Sequence, residues 1–520
     1  MQRRFTRTTS PEPGGQARRL EEYAGIPVDG DVTQTITRIR KDLGASDDLA
    51  IRELRTDEAE RPEAAVIYIE GLTDADAVND YLSDLLWRSF KETAEAAGDE
   101  GARIASEARE LLYGVGPVSE ASDMAALYGY LLSGEAVVLL DGEARAFCVD
   151  ICHWKGRDVT ESTNQTSIRG PRESFTETLR TNTSLVRRKI KDPRLRLEKT
   201  IIGRSTQTHV VLLFIEGLAK PSVVEQARSR LGAIDIDGVL DSGYIEELIE
   251  DARYSLFPTI YNTELPDNVA AQLLEGKIAI MADGTPNVLI APTQFMAFFQ
   301  SAEDYYQRYH YASLLRLLRF MSLFISLLFP SFYIAITTFH RDMLPASLLI
   351  SLAAQREGVP FPAFVEALVM EVTFEILREA GVRMPRAIGQ AVSVVGTLVI
   401  GQAAVQAGIV SAAMVIVVSV TAISTFTLPA YSMSIPIRIL RFAFMAIAAS
   451  FGLFGICMGL FVLLLHLCAL RSFGEAFMSP LAPFRDAGLE DTLVRLPRWL
   501  SFKRPATSAG DGSGRYRRRW

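Results

Sequence analysis

Two patterns of hydrophobic and polar positions divide the chain. Up to about Tyr311, short apolar runs alternate with charged stretches broken by Gly, Pro and Asp, as in a globular α/β region. From Leu317 to Leu470 the runs are Leu, Ile, Val, Ala, Phe and Gly, too long for ordinary core helices. The first, Leu317 to Phe339, has the length to cross a ~30 Å hydrocarbon layer, and Pro330 inside it predicts a kink. Met343 to Ala354 would span only about 18 Å as a helix, which is too short to cross. Runs at about Ala387–Ala407 and Ile409–Leu428 are rich in the small residues that let helices approach closely in lipid. The last, Leu440–Leu470, is long for one crossing and carries Gly452, Gly455 and Gly459, which predicts a strong tilt or an interruption. Four to six crossings fit these segments.

In the first region two segments look like copies. Val66-Ile67-Tyr68-Ile69-Glu70-Gly71-Leu72 resembles the run Val211 to Leu218 with its Glu216-Gly217-Leu218 ending, 146 residues later. The stretch Leu131 to Gly142 resembles Leu273 to Gly284 at an offset of 142, in the same order. Each copy predicts a strand, helices and a hairpin turned at Asp141-Gly142 or Asp283-Gly284, residues that tolerate positive φ. The fold class expected is therefore an α/β soluble N-terminal region of two duplicated subdomains, followed by an α-helical polytopic membrane domain. Boundaries fall at 1–60 for a disordered or partly ordered tail, 61–155 and 206–300 for the subdomains, and 156–205 for a basic helical connector. The transmembrane domain takes 301–475 and a basic tail takes 476–520.

The formal charge of −8 describes no single surface, because charge is unevenly spread. The connector from Arg169 to Arg204 holds eleven Lys or Arg against four acids. It lacks the interleaved aromatics of a nucleic-acid surface, which leaves anionic headgroups, a neighbouring subunit or a merely solvated face. Tyr305, Tyr306, Tyr309 and Tyr311, with Arg308, Arg316 and Arg319, fit an anchor at the cytoplasmic headgroups. Met1 to Arg19 has no apolar core for a secretory signal, so the N-terminal domain is expected on the cytoplasmic side. Cys457 and Cys468 lie in apolar sequence, which fits buried reduced thiols. Cys148-x-x-x-Cys152-His153 has no second ligand pair, so no metal or cofactor is expected. With no phosphate-binding loop and no nucleophile–base pair, an enzyme is not expected.

The candidate chemistry lies on the helix after Val359-Pro360-Phe361-Pro362. Glu371, Glu375 and Glu379 are spaced by four and share a face, Glu366 points elsewhere, and Arg378 is close enough to pair. A charge at mid-bilayer costs about 2.5–3.5 kcal/mol even on insertion scales, so such residues face protein or water. Two readings stand: a cation pathway or proton-sensitive gate, and an interfacial helix with its acids in water. Gln390 and Gln402 are further pathway candidates, with hydrogen bonding between helices as the alternative.

At several of these positions the chain resembles the spore germinant receptor A subunits. The resemblance rests on Ile168 to Glu177, Leu179 to Thr183 and Asp192 to Leu195 in the connector. In the membrane part it rests on Arg356 to Pro362, Glu375 to Pro385 and Ile400 to Val405. It runs from about Ala64 to Pro483, and Ser174 stands where the family usually has glycine. The resemblance implies a multi-pass subunit of the spore inner membrane that oligomerises and forms or gates an ion channel early in germination. It implies a transporter-like B subunit and a lipoprotein C subunit as partners, beside membrane lipid, and no nucleic acid. Arg169, Arg172, Glu173 and Arg180 become candidates for assembly. An accessory role in dipicolinic acid release stays open, as does a secondary transporter, although no inverted repeat supports the latter.

Overall fold

The computed structural model describes residues 20–44, 46–55, 62–78, 117–151, 169–383, 401–484, 491–497 and 499–500. Two compact units emerge: one holds the described residues up to Glu250 and Asn262–Pro292, the other Asp251–Tyr261 and the described residues of Thr293–Phe502.

The first unit contains two five-stranded antiparallel sheets of the same topology. One has the order β1-β2-β4-β5-β3, built from Leu49–Leu54, Ala64–Ile69, Val118–Ala121, Ala136–Leu140 and Ala146–Val149 as β1 to β5. The other has the order β6-β7-β9-β10-β8, with Leu195–Ile202, Thr208–Ile215, Tyr261–Thr263, Ile278–Ala282 and Val288–Ala291 as β6 to β10. Alternation sorts the first core into two layers. Ala65, Ile67 and Ile69 face helices α1 (Val32–Asp42) and α2 (Met124–Leu131), while Ala64, Val66 and Tyr68 pack with Val138, Leu140 and Phe147 on the opposite face.

The duplication extends to single hydrogen bonds. Gly142 and Gly284 turn their hairpins at φ 87. Asp141 accepts the amide of Val32 at the start of α1, and Asp283 accepts that of Leu179 at the start of α3 (Leu179–Lys189). Each acid thus satisfies an orphan donor of its own copy's leading helix. Residues 20–55, expected as tail, supply α1 and β1, and the expected connector ends in β6. Charged residues interrupt both leading strands, Arg52 and Glu53 in β1 and Arg196, Glu198 and Lys199 in β6, so neither reads as an apolar run.

The copies are joined through the buried Arg187, whose guanidinium holds both carboxylate oxygens of Asp48 at 2.8 and 3.0 Å and the Ser46 hydroxyl at 3.0 Å. Asp47 donates its amide to the Leu197 carbonyl, so the edge of β6 is covered. Ser174 donates its hydroxyl to the Glu264 carbonyl.

The second unit is helical: α7 (Tyr309–Thr338), α8 (Ala346–Arg356), α9 (Ala363–Arg383), α10 (Ala412–Phe426) and the run Tyr431–Ala469. The helices α4 (Pro221–Gly232), α5 (Ser242–Ile249) and α6 (Pro266–Leu274) belong to the sheets. Gly452, at φ 59 and ψ −144, breaks the Tyr431–Ala469 run into α11 (431–451) and α12 (453–469). The break is a reversal. A Cβ on Gly459 would stand 2.8 Å from the Phe444 ring, and one on Gly455 3.0 Å from the Ile447 carbonyl oxygen. In a straight helix residues 444 and 459 would lie about 22 Å apart. Gly455 and Gly459, four residues apart, give the close approach of two antiparallel helices. The interruption anticipated from these glycines is a fold-back.

Arg441 of α11 meets Ser326 of α7, and Gly452 lies against Phe339 and His340, so α11 runs alongside α7 in the same direction. Helix α12 then returns towards the start of α7. There the hairpin β11–β12 (Arg471–Ser472 and Glu475–Ala476) and Phe477 bond Thr293 and Phe295 in the segment that leads into α7.

Two expectations change here. Cys457 and Cys468 are exposed on α12, because apolar sequence on a lipid-compatible helix need not pack inside its own chain. Arg316 is buried and does not reach outward as an anchor. It pairs with Asp304 at 3.0 Å and Asp491 at 2.7 Å, while Arg316 and Arg495 both lie over the Tyr305 ring.

Candidate functional site

The polar centre of the helical unit starts from a proline. Pro330 has no N–H, so the carbonyl of Ser326, four residues earlier in α7, loses its helical donor. Arg441 replaces it: its Nε donates to that carbonyl at 2.7 Å. The same guanidinium donates to the Glu371 carboxylate of α9 at 2.6 Å and to the Thr425 hydroxyl of α10 at 2.9 Å. One side chain of α11 therefore ties three other helices. Glu371 is fully excluded from solvent and Arg441 is 1% exposed. Such a charge pair persists only with its hydrogen bonds made.

Glu366 makes a second centre. One carboxylate oxygen accepts both the amide of Ser411, at 2.6 Å, and its hydroxyl. Ser411 caps α10, so the negative charge sits at the positive end of that helix. Arg356, at the end of α8, approaches the other oxygen at 3.7 Å, and the Tyr333 hydroxyl lies 3.4 Å from that of Ser411.

Down α9 the environment opens. Glu375 is half-buried and paired with Arg438, with Arg378 at 3.8 Å. Glu379 is exposed and pairs along its own helix with Arg383 at 2.7 Å. The four-residue spacing placed Glu371, Glu375 and Glu379 on a stripe, but the stripe runs from interior to surface. Every one of the four carboxylates faces an arginine. Gln402 is exposed, and Gln390 lies outside the described residues.

In the sheet unit Arg169, Arg172 and Arg180 are exposed, and Glu173 sits between Arg188 at 3.6 Å and Lys189 at 3.4 Å. Glu173, Arg188, Lys189 and Pro171 line a cleft of about 410 Å³. Burial pushes the Cys148 thiol up to about 12, as for an inert core cysteine; Cys152 and His153 lie outside the described residues. Among the described residues no three His, Cys, Asp or Glu side chains gather to hold a metal. By length and composition two described runs are long and apolar enough to cross a membrane, Tyr309–Thr338 and Tyr431–Ala469, the second folded back at Gly452.

Residues 37–507 match the family model of the Bacillus/Clostridium GerA spore germination protein. The chain belongs to the GerA family. It is 47% identical to Spore germination protein KA of Bacillus subtilis over 93% of this chain and 88% of that protein. Spore germination protein GerLA of Bacillus cereus is 38% identical, covering 92% of this chain and 96% of the relative. A crystal structure of the N-terminal domain of the A subunit of the Bacillus megaterium germinant receptor GerK3 is 39% identical, with a TM-score of 0.40. It covers 52% of this chain and 97% of that domain.

In this GerA-family chain the acids and the neighbouring Arg378 are legible in the sequence, but Arg438 and Arg441 are not. Arg438 and Arg441 lie 63 and 70 residues beyond Glu375 and Glu371, at the threshold of a run that reads as apolar. An arginine inside such a run is itself the signal that a buried acid waits elsewhere.

Proposed function

We propose that this chain is the A-type subunit of a nutrient germinant receptor in the spore inner membrane, a non-enzymatic protein that forms or gates a cation path. Membership of the GerA family ties it to spore germination. The observation that carries the reading is the Glu371–Arg441 pair, held by three helices in a unit that also contains long apolar helices.

On this reading the helical unit is multi-pass. Because α7 begins and α12 ends at the same end of that unit, the number of crossings is even, with the sheet unit and the tail on the cytoplasmic side. Each carboxylate of α9 is neutralised by an arginine, which makes this arrangement the closed form. Opening moves α11 and frees Glu371 and Glu375 to attract cations, with copies of the chain arranged around a shared path. Glu366 and Gln402, with Gln390, extend that path, while the connector residues Arg169, Arg172, Glu173 and Arg180 contribute to assembly with further copies or with the B and C subunits.

The chain reconstituted in liposomes tests this. Potassium flux without saturable solute exchange is the expected result, and Glu371→Gln lowers that flux at least tenfold at equal protein content. Solute exchange identifies a transporter instead, and flux unaltered in both Glu371→Gln and Glu375→Gln removes these acids from the path.

A further inference from the structure

Two covalent links run from the sheet unit into the helical unit: the loop Asp251–Tyr261, which leaves after α5 and returns to β8, and the chain after Pro292. Both converge on one small element. The buried hydroxyl of Ser472 donates to the carbonyl of Thr259 at 2.6 Å and accepts the amide of Thr293 at 2.9 Å. It thereby joins the loop and the linker through a single oxygen. Thr259 and Thr293 are each 1% exposed, so water does not replace these bonds.

The neighbouring residue is strained. Phe473 is buried at φ 47 and Gly474 follows at φ 78, the two positive values of a tight two-residue hairpin turn. A bulky residue holds that conformation only where its surroundings enforce it. Here the Asp251 carboxylate, the first residue of the loop, accepts the Phe473 amide. Phe477 then donates its amide to Leu470 and accepts that of Phe295 at 2.8 Å, and its ring packs on Phe295 and Phe298. Helix α12 ends one residue before Leu470, and His466 on its last turn lies 3.0 Å from the Ser255 hydroxyl of the loop.

We infer that the hairpin Arg471–Ala476, centred on Ser472, is the joint through which a change in the sheet unit reaches the last helix of the helical unit. A stiff strained turn held by two buried bonds, to Thr259 and Thr293, and by the Asp251 carboxylate moves as one piece, so displacement of α5 or of the linker is passed to α12. Coupling of this kind travels through packed, hydrogen-bonded contacts.

Hydrogen exchange on the full chain in detergent tests the joint. Asp241→Ala removes the cap of α5 and its bond to Thr285, loosening the helix that leads into the loop. The expected result is at least threefold faster amide exchange across 453–469, and loss of that effect when Ser472→Ala or Asp251→Ala is added. Exchange in 453–469 that ignores Asp241→Ala, or follows it equally with either joint variant present, overturns the proposal. The second arm rests on the receptor reading: spores with this chain as sole A-type subunit are given nutrient broth. Ser472→Ala at normal protein level slows potassium release at least tenfold, and unchanged release overturns the joint. Failure of the unaltered chain to respond counts against the receptor reading alone, since the exchange cycle still decides the joint.

Discussion

Both units bury an arginine almost completely, and they treat it differently. In the sheet unit Arg187 is spent on Asp48 and the Ser46 hydroxyl, side chains two residues apart on one loop, so the pair acts as a clasp between two copies. In the helical unit Arg441 distributes its donors over a backbone carbonyl, a carboxylate and a hydroxyl, each from a different helix. Around Arg187 the apolar layers of the sheets already define the fold. Around Arg441 the helices have mostly small and apolar faces, so the polar centre supplies the register. The contrast separates a duplicated core stabilised by burial from a helical cluster positioned by charge.

The sharpest way to break this contrast is Arg441→Met. It strands the Glu371 charge and the Ser326 carbonyl together, and loss of one partner of a buried pair costs about 3–5 kcal/mol. A large fall in the yield of monodisperse chain in detergent is expected, partly restored by adding Glu371→Met. Arg187→Met should cost less in total, about 3 kcal/mol, because no backbone group is stranded with Asp48. Combined with Asp48→Leu it should return close to the unaltered melting temperature. If both double variants recover equally, the two centres do not differ in kind.

Lys277 sharpens the comparison within the sheet unit. It occupies the place in the second copy that Glu135 holds in the first, and burial pushes its amine down to about 8. The folded state then sheds its proton before the unfolded one does. Stability therefore rises as pH climbs from about 8 to the ordinary lysine range, and is lost again on lowering pH through that window. Melting curves of the full chain should show this rise, and Lys277→Met should abolish it. The smallest effect belongs to Glu379→Gln at the exposed end of α9, where a surface pair of this kind leaves the melting temperature unmoved.

How far these features were legible depends on the range of the interaction. The repeat showed in Glu70-Gly71-Leu72 against Glu216-Gly217-Leu218 and in the two Asp-Gly turns, because a hairpin imposes its residues locally. The interruption at Gly452 was legible for the same reason. Strands β1 and β6 are not legible because Arg52, Glu53, Glu198 and Lys199 interrupt their apolar pattern. The acids of α9 stood out by their spacing, yet their burial gradient is set by distant helices and no periodicity encodes it. The replacement of a missing Pro330 donor by Arg441 joins positions more than a hundred residues apart. Only a folded chain reveals such a partnership.

The reversal at Gly452 bears on how the chain is made. Helix α12, about 25 Å long, is short for a ~30 Å hydrocarbon layer, and α11 carries Arg438 and Arg441. On the membrane reading proposed above, neither arm is a good passenger alone. The two would enter a bilayer as a clasped couple once translation has passed Gly459.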